Sequence, residues 1–309
     1  MRRVYDGHKP RRFTENIMVI QSAGNMCGGT DETLNTAAPK EIESGEMFLF
    51  SVNTSLNTLV VEGVKNRIMY INTYAVICDR GVFVYYEKDE NGIGKTRDIA
   101  ILKDDIFPGL VQLAKECGFA KRNGRSHYTH GLPENFGGTV DIRYESGEKI
   151  HFSDNQSPLF GYETVLKLAS FFEEALKGER AQLPKAKDIT SVYFERERSE
   201  SFSRALLTIN EDGTGINKKT SKYKEYPVNE SEKAVDAECI GTIRKNIDDN
   251  LMTGWTGVLK REYSVLTGRA DITFTFRDGS VITVSDGLEL PYNVGGAFFN
   301  IELELTSPN

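Results

Sequence analysis

Apolar positions along this chain alternate with polar ones over many short stretches, and the alternating stretches come in pairs joined by glycine-containing turns. Met69–Cys78 and Val82–Glu87, separated by Asp79-Arg-Gly81, predict a hairpin. Arg204–Asn210 and Thr214–Lys218, separated by Glu211-Asp-Gly213, predict another. Val140–Asp154 and Ile272–Asp286 carry the same alternation around Gly147 and Gly279, so each predicts a half-buried hairpin. Met47–Thr54 and Ile189–Arg198 read as single strands ahead of these.

Two segments switch to helical spacing. Ile106, Leu110, Leu113 and Cys117 share one helix face, as do Ile240, Ile243, Ile247 and Leu251. Asp104 and Asp236 precede them, where an N-cap carboxylate would accept the first free backbone N–H groups. Val165, Leu168, Ala169, Phe172 and Leu176 form a third apolar stripe within Glu163–Gly178.

These elements repeat. Gly81 lies over Gly213, Gly147 over Gly279, Asp104 over Asp236 and Asp154 over Asp286, all at an offset of 132 residues. At Gly296–Leu305 two signals conflict. The alternation Phe299, Ile301, Leu303, Leu305 predicts a strand, whereas the repeat frame predicts a helix. The helix is favoured, because a unit without its closing helix leaves a sheet face bare. The expected fold is α+β: two tandem units, each an antiparallel sheet with two helices in the order β-β-β-α-β-β-α. Residues 1–43 read as a poorly packed N-terminal extension, 44–178 as the first unit, the polar 179–187 as a linker and 188–309 as the second unit.

Composition narrows the function classes. The 309 residues carry a formal net charge of −7, against a general nucleic-acid or anionic-membrane binder, since both need a basic footprint. No apolar run approaches the roughly 20 residues of a transmembrane helix. Four scattered cysteines, without a CxxC, argue against a disulfide scaffold or a zinc ribbon. The basic start is followed only by the short apolar run Ile17-Met-Val-Ile20, so no signal peptide is read and a soluble, cytoplasmic protein is expected. Cys27-Gly-Gly-Thr-Asp31 offers the alternative, a cell-envelope protein lipid-tethered through Cys27.

Chemistry-bearing motifs are sparse. Gly92-Ile-Gly94-Lys95-Thr96 resembles part of a phosphate-binding loop, but Asp89 stands where the first glycine belongs and no helix follows directly. His127, Tyr128 and His130 form the densest polar cluster and are the candidate ligand-binding residues; Cys117 and Glu134 lie near them in sequence. Two imidazoles with a thiolate fit zinc, and an imidazole with a carboxylate fits acid–base work. An exposed loop between helix and hairpin is the favoured reading, because zinc sites show tighter paired spacing and the second unit has Leu259 and Glu262 at the matching positions. Convergence of both histidines on Cys117, Glu134 or a distant carboxylate in a pocket would favour an enzyme, and splaying into solvent would oppose it.

Ser153-Asp154 and Ser285-Asp286 recur in both halves and fit either paired-carboxylate chemistry or turn capping; their place at strand ends favours the turn. Glu195-Arg-Glu-Arg198 predicts a solvated strand face or a protected edge, and Trp255 a core or interface plug. No hydrolase elbow, zincin helix, dinucleotide fingerprint or EF-hand loop appears, so no cofactor or metal is expected.

Gly131-Leu-Pro-Glu-Asn-Phe-Gly-Gly138 with Ser146–Asn155, and Asp212-Gly-Thr-Gly215 with Asp278–Asp286, resemble a bacterial family of tandem α+β units, some of them envelope lipoproteins. The resemblance covers about residues 43–305 and implies the fold but no activity. The expected function is a non-enzymatic protein that binds a ligand or a partner. The alternative is a hydrolase or metal-dependent enzyme using His127 and His130.

Overall fold

The structure, a computed structural model, describes residues 17–21, 29–58, 67–90, 95–130, 137–260 and 269–307. It is α+β, with fifteen strands in two sheets and four α-helices among the described residues. Cys27, Glu134 and Gly92–Gly94 lie outside those residues. By internal packing the chain forms two compact units. One holds residues 1–75, 86–98 and 106–177; the other holds 76–85, 99–105 and 178–309.

The first half of the chain builds a nine-stranded sheet in the order β1-β2-β7-β9-β8-β3-β4-β5-β6. Its strands are β1 (Ile17–Gln21), β2 (Thr30–Asn35), β3 (Met47–Thr58), β4 (Arg67–Cys78), β5 (Gly81–Glu90), β6 (Lys95–Leu102), β7 (Arg125–Thr129), β8 (Gly137–Tyr144) and β9 (Lys149–Asp154). Helices α1 (Phe107–Glu116) and α2 (Tyr162–Ala175) complete it. The inward parity of Phe50 and Val52, Val140 and Ile142, and Ile150 and Phe152 makes one apolar sheet face. Phe172 of α2 packs on Phe50 with ring centroids 5.9 Å apart.

The second half builds a six-stranded sheet in the order β13-β12-β11-β10-β14-β15. These are β10 (Ile189–Arg198), β11 (Ser201–Ile209), β12 (Gly215–Tyr223), β13 (Asn229–Val235), β14 (Arg269–Phe276) and β15 (Val281–Ser285), with α3 (Ala237–Asp249) and α4 (Tyr292–Thr306). Val192, Phe194, Ala205, Leu207, Ile272, Phe274 and Val284 are buried on the face that takes the helices. Asn217 on β12 and Asn246 on α3 each donate a side-chain N–H to a carbonyl of α4, at Leu305 and Ala297. The opposite face is polar: the hydroxyls of Thr273 and Thr283 lie 2.9 Å apart, and Arg204 pairs with Glu195 at 2.6 Å. No helix among the described residues is long and apolar enough to cross a membrane.

Several elements depart from expectation. From residue 44 on, four strands, not three, precede α1 (β3–β6), and four precede α3 (β10–β13), because β6 and β13 form without an apolar alternation to announce them. Residues Asn229–Ala234 of β13 are exposed throughout, so its backbone pairing with β12 holds it. Two segments of the polar stretch before residue 44, β1 and β2, are strands; β2 pairs antiparallel with β7. Buried Asn123 fastens the following residues: its amide donates to the carbonyls of Pro39 and Lys149 and accepts from the His151 N–H.

Asp104 is not an N-cap. Helix α1 begins at Phe107-Pro108 after Ile106, with no side-chain cap, because proline there lacks an N–H and presets the helical φ. Asp236 does cap α3, accepting the Cys239 N–H at 2.8 Å. Residues 296–305 lie within helix α4.

Candidate functional site

His127 and Tyr128 sit on strand β7, and His130 stands in the turn just after it. β7 lies between β2, its antiparallel partner, and β9, its parallel partner. His127 Nδ1 meets Asp154 Oδ2 at 3.1 Å, and His130 Nε2 meets Asp31 Oδ2 at 2.6 Å. Tyr128 packs edge-on against His130, with centroids 4.8 Å apart. The two imidazoles therefore take different carboxylates. They do not converge. Among the described residues no three His, Cys, Asp or Glu side chains gather into a metal-binding group.

Asp154 is engaged on both oxygens. Its Oδ1 accepts the N–H groups of Gln156 and Ser157, each at 2.8 Å, so it caps the turn after β9. Burial pushes its carboxyl up, but those two N–H groups and His127 outweigh it and hold the group below the ordinary aspartate range. Cys117 lies elsewhere, at the end of α1. Burial raises the thiols of Cys78, Cys117 and Cys239 above the ordinary value, and Glu304 adds to the rise at Cys239. None of these three is an activated nucleophile.

A second site lies in the second unit, where the residue pattern pointed to a solvated strand. Glu195 and Glu197 do face outward, and both pair with Arg204. Arg196 faces inward, on the same side as Val192 and Phe194, and is buried. Its Nε and Nη2 donate to the two carboxylate oxygens of Glu302 at 2.8 and 2.7 Å, and Nη1 lies 3.4 Å from Asp286 Oδ2. Asp286 Oδ1 also accepts the Ala270 N–H at 3.1 Å, so this aspartate joins two strands and an arginine. The parity of Val192, Phe194 and Arg196 was the available signal for this inward arginine.

Above this cluster opens a cleft of about 520 Å³, lined chiefly by Trp255, Leu288, Leu290, Tyr292, Phe298 and Phe299. Trp255 is fully buried and donates its indole N–H to the Asn250 carbonyl at 2.9 Å. It follows α3 through a 3-10 turn, Met252–Gly254, which carries the chain past Leu251 at φ 53°. Gly295 and Gly296 of α4 also line the cleft, and a Cβ at either would meet nothing within 4 Å. The arrangement is an apolar recess beside a buried, ion-paired arginine, of a kind suited to holding an apolar group.

Compared with family models and with curated proteins, the chain matches none.

Proposed function

We propose that this is a non-enzymatic binding protein built from two copies of one α+β unit, with its recognition site in the cleft beside Arg196. The observation that carries the binding site is an apolar recess with two arginines at its wall: Arg196, buried and held by Glu302 and Asp286, and the exposed Arg198. An arginine held in this way fixes the shape of a cleft.

Support for the duplication comes from the strand orders. The run β9-β8-β3-β4-β5-β6 corresponds element by element to β15-β14-β10-β11-β12-β13. Each opening strand also carries a register shift at its start, between Met47 and Leu49 and between Ile189 and Ser191. The bulge residues, turn glycines and helix positions correspond even though the spacing drifts around the 132-residue offset.

Trp255 is the only tryptophan and lines the cleft, so its fluorescence reports occupancy directly. At low protein concentration, the apolar dye 8-anilinonaphthalene-1-sulfonate should bind and accept energy from Trp255. Gly295→Leu, which fills the recess from a position with free space, should abolish the transfer without lowering the melting temperature. A wild-type protein that does not bind the dye, or transfer that persists in the variant, would overturn the cleft as the site.

The second reading, an enzyme on His127 and His130, has the His127–Asp154 pair behind it. Its metal-dependent form requires a zinc-dependent rise in melting temperature that disappears in His127→Ala. The same rise in that variant would sink it.

A further inference from the structure

The two halves of the chain differ at two inward strand positions, where the second half carries arginine. Phe50 of β3 lies opposite Ile142, Val192 of β10 lies opposite Phe274, and Phe274 stands 132 residues after Ile142. In that register Thr54 and Leu56 correspond to Arg196 and Arg198, on the strand parity that faces the helices. Thr54 and Leu56 are both buried. One half therefore closes these two positions with a small and an apolar side chain. Two guanidinium groups at the same places in the other half answer to something besides packing.

Arg196 is answered within the chain, by Glu302 and Asp286. Arg198 is not. Strand β10 carries it two residues further along the same face, to the cleft wall, where it is exposed. The acids nearest to it in sequence are taken: Glu197 pairs with Arg204 at 3.2 Å, and Glu200 lies 3.9 Å from Lys224. Asp286, the acid on the cleft wall, is held by Arg196 and the Ala270 N–H. Among the described residues Arg198 has no ion-pair partner.

The cleft is thus apolar over most of its lining and carries a free cation at one point of its wall. Its volume, about 520 Å³, lies within the roughly 300–1,000 Å³ of small-molecule pockets. The ligand complementary to it has an apolar body and an anionic head. A planar guanidinium offers paired N–H donors that fit a carboxylate at two points. The net charge of −7 repels anions in general, so a preference for one has to come from this local cation.

We infer that the cleft takes an organic acid, with its apolar body against Trp255, Leu290 and Phe298 and its carboxylate on Arg198. This rests on the cleft reading above and names its ligand class. Orientation follows from the charges beneath. Two carboxylates, Glu302 and Asp286, surround the one guanidinium of Arg196, so an anionic head is turned away from that cluster and stays at Arg198.

Isothermal titration calorimetry on the full chain near neutral pH compares three heads on one eight-carbon body, each below its micelle concentration: octanoate, octanol and octylammonium. Octanoate should bind at least about threefold more tightly than octanol, and octylammonium more weakly than either. The gap between octanoate and octanol should narrow in high salt. Arg198→Met keeps an apolar stem and removes the charge. It should bring octanoate down to the level of octanol, while the affinity for octanol and the circular dichroism stay unchanged. Equal binding of octanoate and octanol by the wild-type chain, or a preference that survives in Arg198→Met, overturns the anionic head and leaves the cleft reading standing. If none of the three binds while the dye still accepts energy from Trp255, the organic acid falls and the cleft stands. If the dye does not bind either, both fall.

Discussion

Arg196 and Glu302 meet in a two-point contact, with both guanidinium-to-carboxylate distances under 3 Å and the arginine buried. It joins the middle of β10 to the last turns of α4 and holds the closing helix against the sheet. Removing one partner of such a pair leaves an uncompensated buried charge, at about 3–5 kcal/mol. Arg196→Met should therefore destabilise the second unit by that amount in urea unfolding. Glu302→Gln, which keeps one acceptor and leaves Asp286 beside the arginine, should cost less. A loss below about 1 kcal/mol for Arg196→Met would show that the pair is not a clamp.

The two helix-initiating aspartates should behave differently. Asp236 accepts the Cys239 N–H, so Asp236→Ala should cost about 0.5–2 kcal/mol, as loss of an N-cap does. Asp104 makes no cap, and Asp104→Ala should leave the unfolding midpoint within about 0.5 kcal/mol of wild type. Equal effects would contradict the cap geometry.

Asp154 links stability to pH. Its folded carboxyl titrates below the ordinary value of 3.8, so the unfolded chain takes up the proton first as the pH falls. The stabilisation is complete above that value and is lost as the pH drops through the lower folded one. Asp154→Ala should thus be less stable than wild type near neutrality, and the gap should close in acid-unfolding curves below pH 3.8. A gap independent of pH would mean that ionisation plays no part.

Gly138 tests how closely β8 approaches β3. A Cβ there would lie 1.9 Å from the Asn53 carbonyl oxygen, which is backbone and has little room to yield. Gly138→Ala should shift the strand pairing and cost more than about 2 kcal/mol, in the range of overpacked sites. Gly147→Ala meets no neighbour within 4 Å, and only its φ of +86° is strained, so it should cost about 1 kcal/mol. Chemical denaturation of both variants checks the order.

Hairpins, turn glycines and amphipathic helices were legible in the sequence because their signals are local. Gly147 and Gly279 occupy positive-φ turns between alternating strands, and Ile240, Ile243 and Ile247 line one buried helix face. The closing helix α4 carried two contradictory patterns, and only the sheet face that needed covering decided between them. Strands such as β2 and β13 are polar, and backbone hydrogen bonds to distant neighbours made them strands, which no local pattern records.

The candidate sites divide along the same line. Residue types nominated His127 and His130, but the fold set each beside its own carboxylate, Asp154 for one and Asp31 for the other. The charged run at Glu195–Arg198 looked solvated, yet strand parity aimed Arg196 at a glutamate 106 residues away. The sequence by itself determined which segments hold apolar faces and where the chain turns, since propensity and periodicity act over a few residues. Tertiary structure alone decided which polar groups meet, because ion pairs and clefts arise from side chains that are neighbours in space and strangers along the chain.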